Sequence, residues 1–203
     1  MSNEHNEVLR RSGRLAFVVC GPSGAGKNSV IDEVMRMVDG LSFSVSYTTR
    51  PRRPGETDGV DYSYVSQEEF DRLVAEGELL EHVGYLGHSY GTGRSQIEKV
   101  LARGEDVILN IDVEGARKLR AEGLGEFAAV YVFVALSSLE LLRKRLRGRG
   151  TEGDEQIEAR LDVAKREMKA LPDFDYLVLN DEFETCVEEL SSVITAERCR
   201  VRS

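Results

Sequence analysis

The chain has no tryptophan, only four prolines and only three cysteines among its 203 residues. The cysteines, Cys20, Cys186 and Cys199, are odd in number, lie far apart and form no C-x-x-C pair. This pattern argues against both a disulfide framework and a zinc site. Reduced thiols of this kind favour a cytoplasmic protein.

Long hydrophobic runs are also missing. The longest apolar stretch, residues 128–136, is too short to cross a bilayer, and the polar residues 1–14 lack the apolar segment of an export signal. Positive charge is scarce as well, since 36 acidic against 27 basic side chains leave a net charge of -9. We therefore expect no membrane and no nucleic acid as partner, and any anionic ligand must meet a local cluster of arginines.

The apolar residues that are present predict an α/β fold. Runs typical of strands buried on both faces lie at 15–20, 106–112, 128–136 and 176–180. Segments with helical character follow the last three, at 113–121, 138–147 and 182–193. Such alternation predicts a parallel sheet flanked by helices, which a phosphate-binding loop at 21–29 would make a P-loop core.

Two segments interrupt this alternation. Short alternating strands fill an insertion, in which Ser66 followed by Glu69 predicts a helix start with a capping box. A polar, glycine-bearing stretch, residues 145–160, has the composition of a lid. The predicted organisation is a flexible tail at 1–14, core segments at 15–45, 95–137 and 161–203, a strand-rich insertion at 46–94 and a helical lid at 138–160.

A phosphate-binding loop follows the first strand directly. The segment GPSGAGKNS, Gly21 to Ser29, fits G-x-x-x-x-G-K and precedes an apolar-periodic helix. Its glycines let backbone N–H groups point inward, and Lys27 can reach the β- and γ-phosphates of a nucleotide. The predicted ATP contacts in this loop are Gly21, Ser23, Gly24, Ala25, Gly26, Lys27, Asn28 and Ser29. Asn28 stands where this motif usually has a Mg²⁺-binding Ser or Thr, and the nearest hydroxyl is that of Ser29.

A second anion site is predicted in the insertion, where three arginines crowd into residues 50–53. Guanidinium groups bind phosphate oxygens in a bidentate manner. Farther along, the pair Asp61–Tyr62, the isolated Glu81 and the run 89–92 add hydroxyls and a carboxylate. Tyr64 and Phe70 are predicted to pack rather than to stack.

These segments resemble the guanylate kinase family. Its GMP site is built from a T-T-R-x-x-R-x-G-E segment, a D-Y pair, an isolated Glu and a Y-G-[ST] segment, and all four occur here in order. The similarity runs from about residue 15 to the last helix. It implies an ATP:GMP phosphotransferase that moves the γ-phosphoryl group of ATP to GMP, and to dGMP as a further expectation, with Mg²⁺ as cofactor.

The resemblance also implies a role for individual residues. The GMP site would comprise Ser46, Arg50, Arg53, Glu56, Tyr62, Glu81, Tyr90, Gly91, Thr92 and Asp112. Of these, Ser46, Glu81 and Thr92 would contact the guanine, and Glu56 would orient the arginines. Arg145, Arg149 and Arg160 would converge on the transferring phosphoryl group, with Asn180 and Asp181 beside the adenine ring. The catalytic set would be Lys27, Arg53, Arg149 and Arg160, and the metal would contact Asn28, Ser29 and Asp112 through water.

One further departure lies in LNIDVEG, where the family usually has an acidic residue and this chain has Asn110. Two alternatives stay open, a related P-loop kinase acting on a sugar phosphate and a binding module without catalysis. The guanine-contacting set favours GMP over a sugar phosphate, while Lys27 and the lid arginines favour catalysis. Homo-oligomerisation stays open, because the sequence carries no sign of the oligomeric state.

Overall fold

The computed structural model describes residues 14–85, 87–125, 127–148 and 153–201. Its centre is a parallel sheet of five strands: β1 (Leu15–Cys20), β2 (Leu41–Phe43), β7 (Asp106–Asn110), β8 (Ala128–Ala135) and β9 (Tyr176–Leu179). Their spatial order is β2-β7-β1-β8-β9, so β1 is the middle strand. The carboxyl end of β1, where the phosphate-binding loop begins, therefore lies at the centre of the sheet edge, where parallel α/β sheets bind ligands.

Every residue of β1 is buried, because helices cover both faces of the sheet. Ala16, Val18 and Cys20 belong to one hydrophobic cluster, and the alternate residues of β1 belong to a second. The first cluster is completed by α3 (Arg94–Ala102) and α4 (Val113–Glu122). The second is completed by α1 (Lys27–Met37) and α7 (Phe183–Cys199). This period of two, with both faces apolar, explains why the strand is a continuous hydrophobic run.

The insertion forms its own small sheet. Its strands are β3 (Tyr47–Thr48), β4 (Ser63–Tyr64), β5 (Leu79–Tyr85) and β6 (His88–Gly93), in the order β4-β3-β6-β5. The helix α2 (Gln67–Ala75) packs on the sheet through Phe70 and Leu73. The predicted start at Ser66 is confirmed, because its Oγ accepts from Glu69 N at 3.1 Å, although the Glu69 carboxylate binds Arg72 and leaves the capping box half formed.

The predicted lid region consists of α5 (Leu139–Gly148) and α6 (Asp154–Glu167), joined by residues outside the described part of the chain. Leu146 and Ile157 are buried in a cluster that the two helices share. The boundary predicted at residue 160 falls inside α6, which continues to Glu167 and leads into a 3₁₀ helix, Met168–Asp173. Arg160, predicted as the last residue of the lid, therefore lies in the middle of α6.

The predicted α/β fold with its parallel sheet is confirmed, and the differences are local. α7 extends to Cys199 rather than ending near residue 193, because Leu190, Ile194 and Glu197 continue its buried face. The chain leaves the core sheet at the end of β2, Phe43, and enters the insertion at β3, which begins at Tyr47. Among the described residues, no helix has the length and apolar character needed to cross a membrane.

Candidate active site

A cleft of about 330 Å³ lies between the phosphate-binding loop and the insertion. The predicted residues that line it are Gly21, Ser23, Gly24, Gly26, Lys27, Asn28, Ser29, Ser46, Arg50, Arg53, Glu56, Tyr62, Glu81, Tyr90, Gly91 and Asp112. Two sites that were inferred separately from the sequence therefore open into one cavity. Asn110 and Glu167 line it as well, and Glu167 carried no prediction.

Glycine allows the phosphate-binding loop to follow its path. Gly21, Gly24 and Gly26 have φ values of 137°, 94° and 88°, a region that other residues rarely adopt. A Cβ atom on Gly21 would lie 1.9 Å from Val134 O, and one on Gly26 would lie 2.4 Å from Asn180 Nδ2. Within the loop, Lys27 Nζ donates to Gly21 O at 2.5 Å and to Pro22 O at 3.2 Å. The ammonium group therefore lies over the concave side of its own loop.

The loop is braced from the neighbouring strand end. Asn180, only 2% exposed, donates its side-chain amide to Ala25 O at 2.6 Å. Arg145 donates to Asn180 O at 2.6 Å and to Asp181 O at 3.2 Å, and the Asp181 carboxylate accepts from Ser137 N at 2.9 Å. The Asn180 side chain and the Arg145 guanidinium thus connect α5 and the end of β9 to the loop.

Of the predicted lid arginines, Arg160 reaches the loop directly. It extends from α6 and donates to Ser23 Oγ at 3.2 Å. Arg149, which was predicted to act with it, lies outside the described residues.

The arginine-rich segment holds one guanidinium in a fixed position. Arg50 is 8% exposed and donates to Glu56 Oε1 at 2.7 Å and to Pro51 O at 2.8 Å. Its guanidinium carbon lies 5.4 Å from the ring centre of Tyr62 and 5.8 Å from that of Tyr64. Two aromatic faces and one carboxylate therefore orient the fork. Arg53, by contrast, is exposed at the mouth of the cleft.

Glu56 is the anchor of this arrangement. Partial burial acts to raise the pKa of its carboxyl, but hydrogen bonds from Arg50, the Arg53 backbone N–H and the Tyr64 hydroxyl outweigh it and lower the pKa to about 2. The last two bonds are both 2.7 Å long. Tyr64, predicted to pack rather than to stack, therefore also donates a hydrogen bond to Glu56. Its spacing of two from Tyr62 in an extended segment, which places both rings on one side, was the available signal.

The other end of the cleft carries a buried carboxylate. Glu81 on β5 faces Thr92 on β6, its cross-strand partner, and its Oε1 accepts from Thr92 Oγ1 at 2.5 Å. Glu81 is 5% exposed and Thr92 is fully buried. Burial raises the pKa of Glu81 to about 7, against the hydrogen bond from Thr92 and with a further increase from Asp112. A side chain on Gly115 would lie 2.6 Å from Glu81 Oε2, so glycine leaves room for this carboxylate.

The two amides that depart from the expected motifs contact each other. Asn110 Nδ2 donates to Asn28 Oδ1 at 2.6 Å, across the gap between the end of β7 and the first turn of α1. The nearby Asp112 caps α4 by accepting from Gly115 N at 2.8 Å, and burial raises the pKa of its carboxyl. Because the two amides share one hydrogen bond, their joint occurrence has a physical explanation.

Comparisons with known proteins find relatives over most of this chain. A family model described as guanylate kinase matches residues 13–197. The guanylate kinase of Thermotoga maritima is 45% identical over 185 residues, which is 91% of this chain and 88% of that protein. That of Alkalilimnicola ehrlichii is 44% identical over 185 residues, covering 91% and 90%. The crystal structure of guanylate kinase from Anaplasma phagocytophilum matches with a TM-score of 0.76 at 30% identity, covering 94% of this chain and 89% of that one.

The raised pKa of Glu81 predicts a pH-dependent cost to stability. Between the ordinary value of 4.5 and about 7, the unfolded carboxyl is ionised while the folded one keeps its proton. Unfolding then releases a proton, so the stability of the parent falls as the pH rises through this window, by about 3 kcal/mol at most. Glu81→Gln keeps the acceptor for Thr92 but cannot ionise, so it should gain stability relative to the parent between pH 5 and pH 8.

Denaturant unfolding at several pH values measures this difference. Glu98→Gln, at an exposed carboxylate on α3, is the matched control and should show no such trend. A difference between Glu81→Gln and the parent that stays constant from pH 5 to pH 8 would contradict the raised pKa.

Proposed function

We infer that this chain, which belongs to the guanylate kinase family, transfers the γ-phosphoryl group of ATP to GMP and releases ADP and GDP. The observation that carries the inference is that the phosphate-binding loop and the Arg50–Glu56 anion site open into one cleft. A transferase must bring two phosphorylated substrates together, and this arrangement allows it. The guanine-end pair Glu81–Thr92 favours GMP over a sugar phosphate, and the presence of Lys27 favours catalysis over binding alone.

We propose that phosphoryl transfer rests on positioning and charge. Lys27 leaves the carbonyls of its own loop to contact the β- and γ-phosphates, and the N–H groups before α1 hold the remaining oxygens. The transition state spreads negative charge over the transferring group, which Arg160 can reach from Ser23 by a small movement of α6. Arg53 at the mouth of the cleft and Arg149 complete the proposed catalytic set.

The GMP phosphate would meet Arg50, Arg53, Tyr62 and Tyr90, with Arg50 already held by Glu56. Pre-orientation matters because a guanidinium fixed before binding loses little side-chain entropy when it binds. Guanine presents two adjacent donors, N1–H and the N2 amine, which the Glu81 carboxylate can accept together. Binding of such donors favours the ionised form of Glu81.

Mg²⁺ is the proposed cofactor, bound with ATP. The available side-chain ligands are hard oxygens, those of Asn28, Asn110, Ser29 and Asp112, which suit Mg²⁺. Within the described residues no group of three or more His, Cys, Asp or Glu could hold a metal, so the ion would be held mainly by phosphates and water. When bound, Mg²⁺ neutralises charge that develops on the phosphates.

We propose the cytoplasm as the location and ATP and GMP as the partners. The three cysteines all lie among the described residues and are free thiols, and Cys20 and Cys186 are buried. Free thiols are typical of a reducing compartment. Use of dGMP and self-association belong to the same proposal and are tested by adding dGMP to the assay and by sedimentation.

Lys27→Met tests the proposed function. The parent should release ADP in a coupled assay with GMP, and more slowly or not at all with AMP or ribose bisphosphate as acceptor. The variant should lose at least about a hundredfold in kcat, because the charge facing the β- and γ-phosphates is gone. GMP binding, measured by calorimetry, should persist, since the guanine end of the cleft is unchanged. Turnover equal to that of the parent would exclude the assigned role of the loop.

Glu81→Gln tests the recognition of guanine. The amide keeps the shape but offers one acceptor fewer, so kcat/KM for GMP should fall at least about tenfold, roughly 1.4 kcal/mol. ATP binding should not change. Glu98→Gln is again the matched control and should behave as the parent. If Glu81→Gln phosphorylates GMP at the parental rate and still rejects AMP, another residue recognises the base.

The Asn28–Asn110 pair generates a prediction for Mg²⁺. Asn110→Asp places a carboxylate near the proposed ion and should lower the Mg²⁺ concentration for half-maximal rate by about fivefold, equivalent to about 1 kcal/mol of attraction. Asn28→Ser should act in the same direction, and the double variant should show the larger effect. Mg²⁺ titration at fixed ATP measures this, with Gln67→Glu on α2 as a control of equal charge change. Unchanged half-saturation in both single variants would place the ion elsewhere.

A further inference from the structure

Glu167 is a carboxylate in a cleft that otherwise suits anions. It is the last residue of α6, and it lines the cleft together with Lys27 and Asp112. A negative charge here repels the phosphates of a nucleotide, so its presence calls for a physical explanation.

Within the described part of the chain, one oxygen of the Glu167 carboxylate lacks a hydrogen bond of the kind that buried polar groups usually form. Its Oε2 is buried and has no hydrogen-bond partner among the described residues. Burial raises the pKa of the Glu167 carboxyl, while the charge of Lys27 acts against that increase and Asp112 adds to it. Lys27 is thus the main favourable electrostatic neighbour of this group.

Glu197, a buried glutamate outside the cleft, differs from Glu167 in its hydrogen bonds. Glu197 on α7 is 3% exposed, and it accepts from the Tyr176 hydroxyl and from Arg200 at 3.3 Å. Glu197 has the contacts expected of a structural carboxylate. Glu167 lacks them on one oxygen, as expected for a group retained for function at a cost in stability.

The position of Glu167 on its helix relates it to Arg160. Seven residues separate them, so they lie on the same side of α6 about two turns, or roughly 10.5 Å, apart. Arg160 contacts the loop at Ser23, and Glu167 lines the cleft close enough to the Lys27 ammonium group for the two charges to interact. One side of α6 therefore presents a positive and a negative charge to the phosphate-binding loop.

On the basis of the proposed kinase activity, we infer that Glu167 is a positioning residue for Lys27. Lys27 Nζ has the carbonyls of Gly21 and Pro22 as acceptors on the loop side. A carboxylate on the cleft side attracts the ammonium group toward the place where the phosphates bind. Glu167 then offsets its own repulsion of ATP by placing the lysine correctly for transfer.

The test is Glu167→Gln, which removes the charge and keeps the size. We expect kcat to fall at least about tenfold, because Lys27 is no longer positioned for the transition state. The dissociation constant of ATP should stay within about threefold of that of the parent, since reduced repulsion offsets poorer lysine contact. The midpoint of thermal unfolding should be no lower than in the parent. Glu167→Asp, which keeps the charge, should recover part of kcat.

Glu197→Gln is the matched control, a buried carboxylate outside the cleft that should lower the unfolding midpoint and leave kcat within about twofold. A kcat for Glu167→Gln within about twofold of the parent would overturn the inference. A loss of kcat accompanied by weaker ATP binding and a lower unfolding midpoint, with no recovery in Glu167→Asp, would also overturn it and assign Glu167 a structural role.

A double-mutant cycle on ATP binding separates this inference from the proposed function, because it requires no turnover. In a Lys27→Met background only the repulsion by Glu167 remains. Glu167→Gln should therefore tighten ATP binding about fivefold more there than in the parent. Equal or smaller tightening in that background would show that Glu167 does not position the lysine. If the parent binds ATP but does not phosphorylate GMP, the proposed function fails while this cycle still decides the role of Glu167.

Discussion

The close approach of the phosphate-binding loop to the sheet is the constraint on which the site depends. Gly21 lies so near the backbone of β8 that no side chain fits, and its φ of 137° is a value that residues other than glycine rarely adopt. This approach lets the chain turn back over the end of β1 and enter α1 with its N–H groups directed into the cleft. Asn180 then fixes the loop at Ala25 O, and Arg145 fixes Asn180. A flexible loop would have to be ordered by the nucleotide, whereas this one is held before the nucleotide arrives.

Electrostatics divide the cleft into two parts within a protein of net charge -9. At the Arg50 end, the Glu56 carboxylate accepts hydrogen bonds from Arg50, the Arg53 backbone and Tyr64, which lower its pKa to about 2. Elsewhere in the cleft, burial raises the pKa of Glu81, Asp112 and Glu167. Glu56 orients Arg50, whereas Glu167 has one buried oxygen without a hydrogen-bond partner among the described residues. Perturbed carboxyls of this kind concentrate at functional sites.

The fold and most of the candidate site could be predicted because their signals are local. Glycine spacing identifies the phosphate-binding loop, and buried runs identify β1, β7, β8 and β9. Contacts between distant residues have no such signal. The Asn28–Asn110 hydrogen bond joins residues 82 positions apart, and the Asn180–Ala25 bond joins residues 155 positions apart. Glu167 was missed because a glutamate at the end of a helix is usually solvated, and only the packing of α6 brings it into the cleft.

The two helices of the lid region, α5 and α6, both contact the phosphate-binding loop, so a movement of these helices would change the site. α5 reaches the loop through Arg145 and the end of β9, and α6 reaches it through Arg160 at Ser23. The two helices share a buried cluster that includes Leu146 and Ile157, so they are expected to move as one body. A shift of that body toward the cleft would carry Arg160 to the transferring phosphoryl group and keep Glu167 beside Lys27. Closure would then exclude water, which could otherwise accept the phosphoryl group, in the same step that completes the catalytic set.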